Sequence, residues 1–389
     1  MQFARRIFRL GTETAFEVLA KARALEAQGR EIVHLEIGEP DFDTPQHIVE
    51  AAIAALRRGE THYTPSAGIM PLRRAIAEEV SRTRDIPVEP EHVVVVPGAK
   101  PIIFFTILAT CQRDDEVIYP NPGFPIYESM IKFAGAKPVP IRLRMEHGFR
   151  LDPDELRELM TPRTRLIILN SPSNPTGSVM NRADMEALAR VVQEYDCWIL
   201  SDEIYSRILY DGAHYSIASI PGFQERTVIL DGFSKSYAMT GWRLGYGVMP
   251  RELAQHITRL MTNSNSCTAT FSQYAGIAAL TGTQEPVERM VEAFRERRQV
   301  IVDGLNALPG IKCLSPQGAF YAFPNITGTG LSSRALADLL LQEAGVAVLP
   351  GASFGIYGEG FLRLSYANSV ANLRKAIERM ADTLAKIVR

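Results

Sequence analysis

The chain has 389 residues, 46% of them apolar and 22% charged, with a formal net charge of −2. That length can bury a large core, and so balanced a charge sets up no strong field for nucleic acid or an anionic membrane. No stretch approaches the ~20 apolar residues of a membrane span, Met1–Leu10 lacks a signal-peptide run, and Cys111, Cys197, Cys267 and Cys313 lack metal-ligand spacing; no metal and a reduced cytoplasm are expected.

A first helix is predicted from Glu17 to Gln28, stopped by Gly29, then a short strand over Ile32–Leu35. Ile37-Gly38-Glu-Pro-Asp-Phe-Asp-Thr-Pro45 is rich in turn residues and reads as a hinge. Gln46–Arg58 and Pro71–Arg84 have amphipathic helical patterns, separated by the turn-like His62–Gly68. Next, a β-branched run, Val93–Val96, breaks at Pro97-Gly98. A helix then starts at once, with Pro101 near its first position. The free N–H groups of such a helix start attract anions. The spacing is not that of a Walker loop.

Val117–Tyr119 reads as a strand running into a proline-rich turn that carries Phe124. Leu166–Leu169 is a second buried strand, followed by Asn170-Ser-Pro-Ser-Asn174-Pro175-Thr-Gly177, where a cis Asn174–Pro175 bond is expected. A helix is predicted over Asp184–Tyr195 and a strand over Cys197–Leu200. Asp202 stands just past that strand, where a buried acid is costly without a cationic partner. Its neighbour Glu203 is not assigned a role.

The stretch Asp231-Gly-Phe-Ser234-Lys235-Ser-Tyr-Ala-Met-Thr-Gly-Trp-Arg243-Leu-Gly245 follows another apolar strand, Val228–Leu230. Lys235 lies among Phe233, Tyr237, Met239 and Trp242. Partial desolvation there disfavours the ammonium and frees the amine to attack a carbonyl. Ser234 offers a hydroxyl and Arg243 a permanent forked cation, the groups that clamp a phosphate. A carbonyl-reactive amine beside a phosphate clamp suits pyridoxal phosphate.

Helices are predicted over Leu253–Met261 and Thr268–Leu280, with polar Asn263–Ser266 between them near a subunit contact. A long helix over Pro286–Leu308 would bridge to a smaller unit. That unit contains a strand at Gly318–Phe323, a helix at Ser333–Glu343, a strand at Val346–Leu349 and a turn at Pro350–Gly355. Arg363 sits inside the apolar strand Phe361–Ala367 and needs a bidentate partner. An amphipathic helix with Val370, Leu373, Ile377, Met380, Leu384 and Ile387 on one face closes the chain.

Position for position, Asp231–Gly245 matches the lysine signature of class I aminotransferases. Over essentially its whole length the chain resembles the fold-type I pyridoxal-phosphate enzymes, and in particular aspartate-aminotransferase-like ones. The strands separated by helices already suggest an α/β fold with a mostly parallel sheet and helices on both faces. The resemblance implies a large cofactor-binding domain over 45–285 and a smaller α+β domain built from 1–44 and 286–389. It implies a homodimer with shared active sites and pyridoxal 5'-phosphate held by Lys235. Gly98, Ala99, Lys100, Ser234 and Arg243 would hold the phosphate, with Tyr63 reaching it in the neighbouring subunit. Phe124 would stack on the ring, Asp202 would pair with the ring nitrogen, and Asn174 and Tyr205 would bond the ring hydroxyl. Gly38, Asn174 and Arg363 would take the substrate carboxylate.

The implied reaction is a ping-pong transfer between an amino acid and a 2-oxo acid such as 2-oxoglutarate. Aspartate is the family-based donor, although Phe16, Ile37 and Phe124 would suit apolar or aromatic ones. The same lysine and acid could serve a C–S β-lyase. A cofactor-binding regulatory module would need an added DNA-binding segment, for which the stretch before Gly38 looks too short. A nucleotide-binding protein would need motifs that are missing here.

Overall fold

The computed structural model describes residues 1–11 and 14–387. The chain opens with α1 (Thr14–Glu26), β1 (Val33–His34), α2 (Gln46–Arg57) and α3 (Met70–Arg84). Then follow β2 (Val93–Val96), α4 (Lys100–Thr110), β3 (Glu116–Asn121), α5 (Ile126–Ala134), β4 (Lys137–Arg142), α6 (Pro153–Leu159) and β5 (Thr164–Asn170). α7 (Arg182–Val192), β6 (Trp198–Asp202), β7 (Thr227–Gly232), β8 (Gly245–Val248), α8 (Arg251–Asn265) and α9 (Thr270–Thr281) complete the larger part. The rest holds α10 (Glu285–Asn306), β9 (Tyr321–Ala322), α11 (Ser333–Leu339), β10 (Val346–Ala347), β11 (Leu349–Pro350), β12 (Leu362–Ser365) and α12 (Val370–Leu384).

A seven-stranded sheet is ordered β2-β8-β7-β6-β5-β3-β4. All its pairings are parallel except those of β8, which runs against both β7 and β2. Being antiparallel to both, β8 leaves β2 pointing the same way as the parallel set. The apolar runs of these strands follow from cover on both faces. Val94 and Val96 pack with α4 and α8 residues such as Ile102 and Leu253. Val93 and Val95 turn the other way, onto Leu72 and Ile76 of α3 and Ala275 of α9. Farther along the sheet, Ile167 and Ile199 meet Met185 and Leu188 of α7.

The smaller part is built on short strands. β1 pairs in parallel with β10, and β12 lies antiparallel between β11 and β9. Its core brings Val33 and Leu35 against Phe294, Phe320, Leu362 and Leu373. The N-terminal strand is thus part of a core made mainly by residues three hundred positions later.

Several elements differ from the sequence pattern. β4, β8, α5 and α6 were not anticipated, because Lys137-Pro-Val-Pro and Gly245-Tyr-Gly-Val are poor in strand formers and the two helices are short. The polar Asn263–Asn265 is not a connector but the last turn of α8. The expected strand over Gly318–Phe323 shrinks to two residues, and the helix from Ser333 ends in a wider π turn over Leu340–Ala344.

Candidate active site

The parallel strands end along one edge, and the singled-out residues lie there. β5 ends on Asn170, β6 on Asp202 and β7 on Gly232, while β2 delivers Pro97 and Gly98 to the same edge.

Gly98 has φ +77°, and a Cβ there would collide with the Arg243 guanidinium. Arg243 takes a left-handed φ of 51° after the tight turn Thr240–Trp242, and its Nη1 donates to the Thr240 carbonyl at 2.8 Å. Gly245 leaves room for the backbone of Gly98 and Ala99, which any side chain would meet. α4 starts at Lys100 without a side-chain cap from Ala99, so its first N–H groups lie beside the guanidinium as an anion-binding corner. Ser234 is buried, one residue before Lys235.

The Lys235 amine donates to the Gly38 carbonyl at 2.5 Å and lies 6.0 Å from the centre of the Phe320 ring. Burial pushes this amine down to about 8; Glu39 opposes the shift, and Arg363, Lys100 and Arg243 add to it. The residue as a whole is part-buried.

Asp202 is buried. One carboxylate oxygen accepts the Tyr127 hydroxyl at 2.6 Å and the other the Ile204 N–H at 3.3 Å. Burial pushes the acid up to about 6, against the pull of these two donors; nearby Asp231 and Glu203 push it further up. Among the described residues, its hydrogen-bond donors are both neutral.

Asn174 is held by its own N–H on Asn170 Oδ1 at 2.9 Å, and the Asn174–Pro175 bond is cis as expected. Its side-chain oxygen accepts from Arg363 Nη1 at 3.3 Å. Arg363 lies buried in β12, donates also to the Glu36 carbonyl, and covers the Tyr321 and Phe354 rings at 4.6 and 5.1 Å. These bonds join the first and last thirds of the chain at one point. Phe124 is half-buried, edge-on to Tyr127 with centroids 5.8 Å apart, and the Lys100 amine stands 5.3 Å from its ring. The Tyr205 hydroxyl shares a hydrogen bond with that of Tyr321 at 2.7 Å.

Tyr63 lies apart from this cluster and is 90% exposed. Its neighbours are fixed: His62 O accepts from Thr270 Oγ1 at 2.7 Å, and Thr64 Oγ1 accepts from Gln273 Nε2 at 3.1 Å. The chain therefore presents the tyrosine outward from the start of α9.

Sequence reasoning missed three groups. Tyr321 touches Tyr205, lies under Arg363, and sits so close to Gly38 that a Cβ there would strike its hydroxyl. Its only signal was a polar-tipped ring in the otherwise apolar Phe320–Phe323. Tyr127 gave no signal, because its helix was not foreseen. Glu203 belongs to a buried network: Arg84 Nε reaches it at 3.0 Å and Arg84 Nη2 reaches Asp231 at 2.7 Å. Ser201, Ser216 and His214 also bond Glu203, and Ser206 bonds Asp231. Burial alone would raise Glu203, but the His214 and Arg84 charges and these hydrogen bonds outweigh it and hold the acid well below its ordinary value.

These residues fit pyridoxal phosphate. A glycine-floored corner with an arginine suits its phosphate. A buried acid with only neutral donors suits a protonated ring nitrogen, and a desolvated lysine suits its aldehyde. No group of acidic, histidine or cysteine side chains among the described residues could hold a metal ion.

The family model for class I and II aminotransferases matches residues 30–380. The aspartate aminotransferase of Geobacillus stearothermophilus is 41% identical over 387 residues, with 98% of each chain covered. Aromatic-amino-acid aminotransferase 2 of Thermococcus litoralis is 42% identical over 363 residues, covering 92% of this chain and 93% of the relative. The crystal structure of the Rhizobium meliloti aspartate aminotransferase superposes with a TM-score of 0.95 at 38% identity, covering 100% of both chains. With the lysine, the acid and the anion corner on one sheet edge, and matches of this length, the chain belongs to the class I and II aminotransferases.

Proposed function

We propose that this aminotransferase moves the amino group of L-aspartate or an aromatic L-amino acid to a 2-oxo acid such as 2-oxoglutarate, in a ping-pong sequence. The relatives named for aspartate and for aromatic amino acids support both donor classes. The observation that carries the reading is Lys235, an amine brought down to about 8 beside an anion corner and a buried acid.

Its cofactor is pyridoxal 5'-phosphate, which supplies an aldehyde for the amino group and a ring that accepts the electrons released at the substrate Cα. Gly98, Ala99, Lys100, Ser234 and Arg243 are assigned to the phosphate, Phe124 to the ring face, Asp202 to the ring nitrogen, and Asn174 and Tyr205 to the ring hydroxyl. Arg363, with Asn174 and Gly38, takes the substrate carboxylate; a guanidinium already oriented by Asn174 and Glu36 loses little freedom on binding it. Lys235 moves the proton at the substrate Cα. With an amine near 8, a useful fraction is neutral and basic at neutral pH.

The working form is a cytoplasmic homodimer in which Tyr63 of the partner subunit completes the phosphate site. A cavity of about 530 Å³ lined by Thr44, Trp242, Arg243 and Phe271 supports this, since it gives room beside the anion corner. The free cysteines suit a reducing compartment. The division into 45–285 and 1–44 with 286–389 is supported by the pairing of Val33 with Val346.

The test is the visible spectrum of the purified protein on adding single L-amino acids without an acceptor. A yellow band that bleaches, with one oxo acid released per site, establishes the half-reaction and ranks the donors. A band that persists while pyruvate and ammonia accumulate would replace transfer with C–S lyase chemistry.

A further inference from the structure

We propose that Tyr127 is the positioning residue for Asp202. It sets that carboxylate's rotation and charge, and through them the protonation of the cofactor ring nitrogen; the proposal rests on the assignment of Asp202 to that nitrogen. Tyr127 stands in the first turn of α5 and is fully buried. Its hydroxyl donates to Asp202 Oδ2 at 2.6 Å, the length of a charge-assisted O–H···O⁻ bond.

Three observations set this contact apart from an ordinary buried tyrosine. First, the two donors divide the carboxylate between them: Tyr127 holds Oδ2 and the Ile204 N–H holds Oδ1. A carboxylate fixed at both oxygens cannot rotate, and each oxygen keeps a lone pair for a third donor. Second, both donors are neutral. They stabilise the anion against burial without cancelling its charge, so the acid still attracts a cationic N–H. A basic residue in Tyr127's place would neutralise it instead. Third, the Tyr127 ring packs edge-on against Phe124, the residue assigned to the cofactor face. One side chain thus braces both the ring-stacking group and the acid, and the Tyr127 N–H donates to the Phe124 carbonyl at 3.1 Å.

The phenol stays protonated throughout, since burial and the neighbouring Asp202 charge push it well above its ordinary range. It therefore acts as a permanent donor and takes no part in proton transfer.

The test compares wild type, Tyr127→Phe, Asp202→Asn and the double variant, all prepared free of cofactor and titrated with pyridoxal phosphate. By analogy with the partners that orient metal-binding side chains, whose loss costs about 10–100-fold, Tyr127→Phe should bind the cofactor ~10-fold more weakly or worse. If the tyrosine acts through Asp202, the double variant should bind no more weakly than Asp202→Asn alone.

A second readout separates positioning from packing. With ¹⁵N-labelled cofactor, the ring nitrogen in Tyr127→Phe should keep its proton to higher pH than in wild type, because Asp202 without its hydroxyl donor is the stronger base. A purely structural tyrosine would not move that titration. Where Tyr127→Phe folds poorly, 3-fluorotyrosine at position 127 keeps the ring and strengthens the donor, and should shift the nitrogen titration downward. Tyr127→Phe affinity within twofold of wild type, a full additional loss on the Asp202→Asn background, or an unmoved nitrogen titration in either variant overturns the proposal. An Asp202→Asn protein that binds as tightly as wild type would instead reject the assignment of Asp202, and this proposal with it.

Discussion

At the scale of single residues, the site works by placing charges where water cannot screen them. Asp202 shows the cost. In the cofactor-free protein burial holds its pKa near 6, against 3.8 for the ordinary group. The folded protein then binds this proton more tightly than the unfolded chain does. Stability from this group is greatest below pH 3.8 and falls as pH rises through about 6. A shift of two units corresponds to roughly 3 kcal/mol. Urea unfolding of the cofactor-free protein at pH 4 and pH 7 should show that loss in wild type but not in Asp202→Asn. Equal pH slopes in the two proteins would remove the strain assigned to Asp202. Under the proposed assignment, the same cost is what a cationic ring nitrogen would relieve on binding.

At the scale of elements, the question is what holds the strand ends still. Glu203 directly follows β6, and Asp231 lies in β7, four residues before Lys235. Both are buried, and Arg84 at the end of α3 forks between them. Their N–H groups add to the anchoring: Glu203 N donates to Leu230 O at 2.8 Å. Removing one partner of a buried ion pair strands the others' charge, at about 3–5 kcal/mol. Arg84→Met should therefore lower the unfolding free energy by that amount at neutral pH, read from the denaturant midpoint at constant slope. Arg84→Lys, which keeps charge but not the fork, should recover part of it. A loss under 1 kcal/mol for Arg84→Met would show that the network is solvated or redundant.

At the scale of the whole molecule, Tyr63 is the residue on which the proposed shared site turns. It projects outward from a well-anchored turn, which fits the proposal that it reaches the phosphate site of a partner subunit. If sites are shared across a two-fold axis, two defective proteins should complement each other. Tyr63→Phe is expected to bind cofactor weakly, and Lys235→Ala to carry none covalently. Unfolded together and refolded as a mixture, they should form dimers in which one site has a native Lys235 and the partner's native Tyr63. Activity appearing only in the mixture would establish the shared site. A mixture no better than its components would confine each site to one subunit.

The local chemistry was legible because it is written in short contiguous stretches. The glycine turn at Gly98, the Asn174–Pro175 bend, the acid after β6 and the lysine among aromatic residues are each set by neighbours in sequence, through backbone freedom or strand ends. Most helices were legible for the same reason, since the periodicity of α3 or α12 survives any tertiary context. What sequence could not provide is what depends on distant partners. β8 exists because Gly245 and Gly247 fit between β7 and β2, and not because glycine favours strands. Arg363 reaches the site only because Glu36 and Asn174, which lie 327 and 189 residues away, meet it there. Tyr127, Tyr321 and the Arg84 network owe their roles to burial, which turns ordinary polar side chains into strong, fixed partners. Sequence alone determined which chemistry the chain carries; the tertiary structure decided which groups tune it, because low dielectric and long-range contact arise only when the chain is folded.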